Sequence, residues 1–157
     1  MSLTGDAVVS DGRELSRLSP RGWGVLAVPA DGEPVIVAAA DATGMRPREA
    51  IQAGPRLVIH GEVNALKPQL AVRSFVGIDR EGRLVRGSTS PVAVSATGLA
   101  GFLAASQAEG GLGLVDALNL DGGSSSSLFV RSGDPEGRDV VVGLGVRVPN
   151  ALAILKR

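Results

Sequence analysis

Apolar positions along this chain come in short runs separated by turn signals, not in long helical stripes. Ten runs have strand length and a β-branched or small apolar content: Ala7–Ser10, Trp23–Val28, Pro34–Ala40, Arg56–His60, Val72–Asp79, Arg83–Arg86, Ala117–Leu120, Leu128–Arg131, Val140–Leu144 and Ala151–Leu155. Asp11-Gly12, Asp31-Gly32, Glu81-Gly82 and Glu136-Gly137 punctuate them as turns. Trp23-Gly-Val-Leu-Ala-Val28 is apolar throughout, which predicts a strand covered on both faces.

Two stretches carry helical spacing. Arg46 to Gln52 is short, with Pro47 near a first helical position and Thr43 as its cap. Ala96 to Ala108 is stronger: Ser95 or Thr97 caps it, Leu99, Phe102 and Leu103 form an apolar stripe, and Gly110-Gly111 end it. The pattern predicts an α+β fold, a large twisted mixed β-sheet with two helices packed on it. No repeat or linker divides the 157 residues, so a single domain is expected over 1–157.

Composition narrows the chemistry. The 16 basic and 16 acidic residues cancel, against the basic excess of an electrostatic nucleic-acid binder. Three Phe, one Trp and no Tyr leave little for a base-stacking platform. The absence of cysteine removes disulfides, thiolate zinc sites, iron–sulfur clusters and a Cys nucleophile together. No apolar run approaches the ~18 residues of a membrane span. Met1–Gly5 lacks the charged and apolar regions of a signal peptide and is expected to stand outside the fold.

The most informative segment is Asp116 to Val130. A strand delivers Asn119 and Asp121 to its end, Gly122-Gly123 follow, then four serine hydroxyls. Paired glycines beside a strand-end carboxylate let the backbone approach a ligand, and successive N–H groups in such a turn can form an anion nest. Serine hydroxyls add donors without bulk. This chemistry suits a phosphate or a polyol, with Asp121 binding a hydroxyl, acting as a base or ligating a divalent cation. The plainer alternative is a tight Asp-Gly turn followed by a solvated serine loop.

Asn119-Leu-Asp-Gly-Gly-Ser-Ser125 resembles the Asn-Leu-Asp-Gly-Gly-Gly-Ser signature of the phosphodiester glycosidase family. Other segments are similar in the same order: Gln52-Ala-Gly-Pro-Arg-Leu-Val58 with Gly61, Arg73-Ser-Phe-Val-Gly-Ile78, Val115-Asp-Ala-Leu118 and Arg147-Val-Pro-Asn-Ala-Leu152. The resemblance covers about Asp11 to Lys156. It implies hydrolysis of sugar 1-phosphodiesters, a small-molecule or glycan partner and an extracytoplasmic setting. It further implies that Asp121 and Arg73 are catalytic and that Asn119, Gly122, Gly123, Ser125 and Arg147 bind substrate. No dedicated metal site is expected beyond a divalent cation at Asp121.

The departures point the other way. Ser124 replaces the third glycine of the signature, the family's Asn-Gly-x-Phe-Phe segment near the domain's start is missing, and Arg86-Gly-Ser-Thr-Ser-Pro91 stands where the family has Asp-Gly. The competing readings are a non-catalytic carbohydrate- or cell-wall-binding module and a structural domain of a larger envelope protein. Arg73 in an apolar strand needs a partner, either an anionic ligand or a salt bridge to Asp121 or Glu62. Arg147 has an edge-strand surface charge as its plain alternative. Glu62 is a candidate second carboxylate, though a solvated loop residue fits it better. His60, the single histidine, lacks co-ligands for zinc. The Asp134–Asp139 stretch reads as a charged hairpin loop, and Trp23 as core unless it lies beside a sugar site.

Overall fold

The computed structural model describes residues 7–19, 23–133, 136–143, 146–148 and 151–155. Met1–Gly5, Asp134-Pro135, Leu144 and Pro149-Asn150, all used in the sequence reading, lie outside the described residues. The first sheet holds β1 (Val8–Ser10), β2 (Arg13–Ser16), β3 (Gly24–Val28), β4 (Val35–Ala38) and β5 (Glu49–Ala53) in the order β2-β1-β5-β3-β4. The second holds β6 (Arg56–Ile59), β7 (Glu62–Val63), β9 (Arg73–Asp79), β10 (Leu84–Ser88) and β12 (Leu114–Gly122) in the order β10-β9-β12-β6-β7. Two small ribbons complete the set: β8 (Leu70–Ala71) with β11 (Val94–Ser95), and β13 (Leu128–Val130) with β14 (Val140–Val142).

Every pairing among the described residues is antiparallel, so the single mixed sheet expected from the sequence is instead two antiparallel sheets stacked face to face. Alternation explains the layering. Leu26, Ile36 and Ala53 of the first sheet meet Val76, Ile78 and Leu118 of the second in one buried cluster. The outer face of the first sheet buries Val25, Ala27 and Ala39 under Ala42 and Met45. The outer face of the second buries Phe75, Leu114 and Ala117 under the helix α1 (Ala96–Ala104), through its Leu99, Ala100 and Leu103. Strand β3 is thus covered on both faces, as its unbroken apolar run predicts.

The α+β content holds, with one α-helix among the described residues. Ser95 caps α1 by accepting the Gly98 N–H at 3.0 Å. The helix stops at Ala104, and Gln107–Glu109 form a separate 3-10 turn closed by Gly110 at φ 84°. Phe102, expected in the buried stripe, is 47% exposed, and Ala100 takes its place against the sheet. The second expected helix, Arg46–Gln52, is not formed: its residues run into β5, paired on both sides with β1 and β3. Glu-Ala-Ile-Gln-Ala fits either period locally, and two waiting strand edges decide it. Ala151–Leu155, expected as a strand, joins no ladder; only Leu152 packs against the core.

Candidate active site

The site lies at one end of β9 and β12, the central strands of the second sheet. The β12–β9 register slips between Asn119 and Gly122, a bulge that redirects the strand end carrying Asp121. Gly123 turns the chain next at φ 63°, a conformation that suits glycine, and Gly123–Ser125 form one 3-10 turn. Ser124, which stands where the signature has a third glycine, does not lie in the left-handed region, so a side chain is accommodated there without backbone strain.

Six of the seven expected site residues line one cavity of about 690 Å³: Arg73, Asn119, Asp121, Gly122, Gly123 and Ser125. Arg147 is exposed and does not line it, although its neighbours Val148 and Ala151 do. The motif Arg-Val-Pro-Asn-Ala-Leu therefore reaches the cavity through its apolar members. Glu62 and His60 are exposed on the β6–β7 edge and stand outside the cavity; His60 Nδ1 lies 3.9 Å from Asp116, which binds Arg56 at 2.8 Å. Arg56 also lines a smaller cavity of about 470 Å³ with Asn64 and Trp23. Trp23 borders both cavities, and a Cβ on Gly54 would come within 2.6 Å of its ring, so glycine there lets the indole sit against the site's wall.

Arg73 is only 8% exposed and pairs with no carboxylate among the described residues. Its Nε donates to the Val94 carbonyl at 3.2 Å, Nη2 to the Gln69 carbonyl at 2.6 Å and Nη1 to Asn119 Oδ1 at 3.3 Å. The salt bridge to Asp121 or Glu62 considered from sequence is not formed. Carbonyls satisfy the geometry of the guanidinium and leave its charge uncompensated in a buried place. Asn119 is committed as well: its amide donates to the Gly54 and Leu120 carbonyls while its oxygen accepts from Arg73. It orients the arginine.

The glycine turn differs from the expected anion nest. The Gly122 N–H donates to Asp121 Oδ1 at 2.8 Å, and the Gly123 N–H donates to the Val72 carbonyl at 2.9 Å. Both are used in fixing the turn and the Asp121 carboxylate. Asp121 is exposed, with its second oxygen directed to no hydrogen-bond donor among the described residues. Three His, Asp or Glu side chains come together nowhere among the described residues, so a cation at Asp121 would draw its further ligands from water and substrate.

Arg86 and Ser74 line the cavity without being among the expected site residues. Arg86 lines the cavity from β10, donating Nη1 to the Leu152 carbonyl and Nη2 to the Phe129 carbonyl, each at 2.9 Å. Ser74 lines it from β9, 9% exposed, with its hydroxyl buried and unpartnered. The only available signal was the charge contrast of Arg86 with the family's Asp at that place.

Comparison with known proteins bears on family and fold. The model of the phosphodiester glycosidase family matches residues 3–155. Among solved structures, the chain is similar to the catalytic domain of zebrafish N-acetylglucosamine-1-phosphodiester alpha-N-acetylglucosaminidase, auto-inhibited by its pro-peptide. The TM-score is 0.59 at 21% identity, over 77% of this chain and 46% of that one. The present chain thus spans under half of that solved chain, and the likeness is one of fold. No match is found among curated proteins.

Proposed function

This chain belongs to the phosphodiester glycosidase family, and on that premise we propose that it hydrolyses sugar 1-phosphodiesters at the β9–β12 cavity. What supports the reading is the convergence of Arg73, Asn119, Asp121 and Ser125 on that one cavity. In the proposed reaction Arg73 faces the phosphodiester, and Ser125 and the glycine turn bound the sugar. Asp121 takes a proton from water as the water oxygen attacks the anomeric carbon. The bond from that carbon to the phosphate oxygen breaks, and a phosphate monoester departs with the bonding pair.

One carboxylate lines the cavity among the described residues, whereas glycosidases that expel an alcohol use two. A phosphate monoester is a better leaving group, since its conjugate acid ionises near pH 6. Guanidinium stabilisation of the departing charge replaces a second carboxylic acid.

Release of sugar from a chromogenic sugar 1-phosphodiester tests this. Asp121→Asn is expected to lower turnover about 10²- to 10⁴-fold. Equal rates in both proteins would remove Asp121 from the reaction. The second reading, a glycan-binding module, draws on the lone carboxylate and the outlying Arg147; it is the outcome if neither protein turns over substrate and both bind it.

A further inference from the structure

We infer that Arg86 and Ser74 form an anion-binding corner of the same cavity, one that receives the phosphate of a monoanionic phosphodiester. The inference rests on the reading of this cavity as a phosphodiester site. It starts from charge. With Arg73 and Asp121 alone the lining is neutral, and Asp121 opposes the approach of an anion. Arg86 is the third charged group lining the cavity among the described residues, and no carboxylate lies within ion-pair distance of it. It brings the lining to one net positive charge, the complement of a single phosphodiester anion.

Hydrogen bonding points to the same corner. Arg86 spends two of its five N–H donors on the Leu152 and Phe129 carbonyls, whereas Arg73 spends three. The pairing of β9 with β10 sets Arg86 opposite Val76 and Ser88 opposite Ser74. Ser74 and Arg86 are therefore diagonal neighbours on one face of the sheet, within reach of a common ligand atom. The Ser74 hydroxyl is buried in the cavity wall with no partner among the described residues. A buried hydroxyl without a partner is costly unless a ligand or water completes it. A phosphate oxygen at this corner accepts from the donors that Arg86 keeps free and, once rotation about the Ser74 Cα–Cβ bond turns the hydroxyl from the wall into the cavity, from Ser74. The same guanidinium holds the backbone of Phe129 and Leu152, so the anion is gripped by the residue that fixes the outer wall.

Dimethyl phosphate is the smallest probe of this chemistry, and its binding is measured by titration calorimetry or by chemical-shift titration. Ser74→Ala is expected to bind it about tenfold more weakly while melting at the same temperature or higher, because the lost hydroxyl had no protein partner. A purely structural serine would give the opposite pair of results. Arg86→Gln is expected to lose at least as much affinity, with Arg86→Lys between it and the wild type. Because Arg86 also holds two backbone carbonyls, its role is read independently in the unaltered protein. Phenylglyoxal modification, mapped by mass spectrometry, is expected to be slowed at Arg86 by dimethyl phosphate. Unchanged affinity in Ser74→Ala, or no protection of Arg86, overturns the inference. Hydrolysis is scored separately. Binding at this corner without turnover defeats the proposed reaction alone, and turnover indifferent to both residues defeats the corner alone.

Discussion

Strand β9 mixes polar and apolar residues and β14 is apolar throughout, yet it is β9 that is buried and β14 that is exposed. All seven residues of β9 are buried, between the first sheet on one side and α1 on the other. Val140 and Val141 of β14 are 52% and 71% exposed, and Phe129, opposite Val141 in β13, is 49% exposed. β9 forms the cavity's floor with β12; the ribbon and the 151–155 segment form its outer wall. The contrast teaches that hydrophobic patterning specifies a strand, whereas burial is decided by what packs on it. It also separates two tasks. The floor holds Arg73 and Asn119 rigidly through buried bonds, and the wall is joined to the second sheet's Arg86 through two backbone carbonyls.

The largest test of this contrast is a matched pair of truncations. Leu118→Ala, in the fully buried cluster between the sheets, is expected to cost about 2–5 kcal/mol in denaturant unfolding. Val141→Ala, in the exposed ribbon, is expected to stay within about 0.5 kcal/mol. A comparable loss from both would mean that the ribbon is covered in solution. A smaller step crowds the junction of floor and cover. At Gly54 an added Cβ meets the Trp23 ring at 2.6–2.7 Å, and Gly54→Ala is expected to cost about 1–3 kcal/mol. Tryptophan fluorescence should shift with it, since the ring itself must move. An unshifted spectrum would show that the crowding is relieved elsewhere.

Much of this contrast was legible in the sequence, for physical reasons that also explain the failures. β3, β6 and β9 announce themselves because central strands need apolar residues on both faces. β5 was hidden because Gln52, a polar residue, is completely buried in it, hydrogen-bonded to the Ser19 backbone; a buried Gln looks like a helix's solvent face in one dimension. Asp121, Asn119 and Arg73 could be found because a turn and a strand place them by local spacing. Arg86 and Ser74 could not, since their kinship arises only from the β9–β10 register. Arg147 stands outside the cavity's lining although its segment reaches it, because which side chains face inward there is set by packing, not by the motif.

The cover over the floor gives the next test. Ser95 accepts the Gly98 N–H at the start of α1, and Ser95→Ala is expected to cost about 1 kcal/mol. Phe102→Ala, on the exposed face of the same helix, is expected to cost under about 0.5 kcal/mol. The two together ask whether the helix is held by its cap and its buried face alone. A larger loss at Phe102 would place an unseen partner against that face.

The smallest effect tests the far end of the floor through pH. At the β9–β10 turn, burial pushes the Asp79 carboxyl up. The Arg83 side-chain hydrogen bond at 2.6 Å, the Arg83 backbone N–H and charge, and the Glu81 N–H together outweigh it and hold the group below its ordinary value. A carboxyl lowered by folding binds fewer protons in the native state than in the unfolded one near its ordinary value of about 3.9. Its stabilising contribution is therefore fully present above that pH and is lost as the pH falls through the lower, folded value. Unfolding free energy measured from pH 6 downward should decline below about pH 4, and Asp79→Asn should make that decline shallower while leaving the slope above pH 5 alone. A decline that Asp79→Asn leaves as steep as before would show that charge does not fix the turn at this end of the floor.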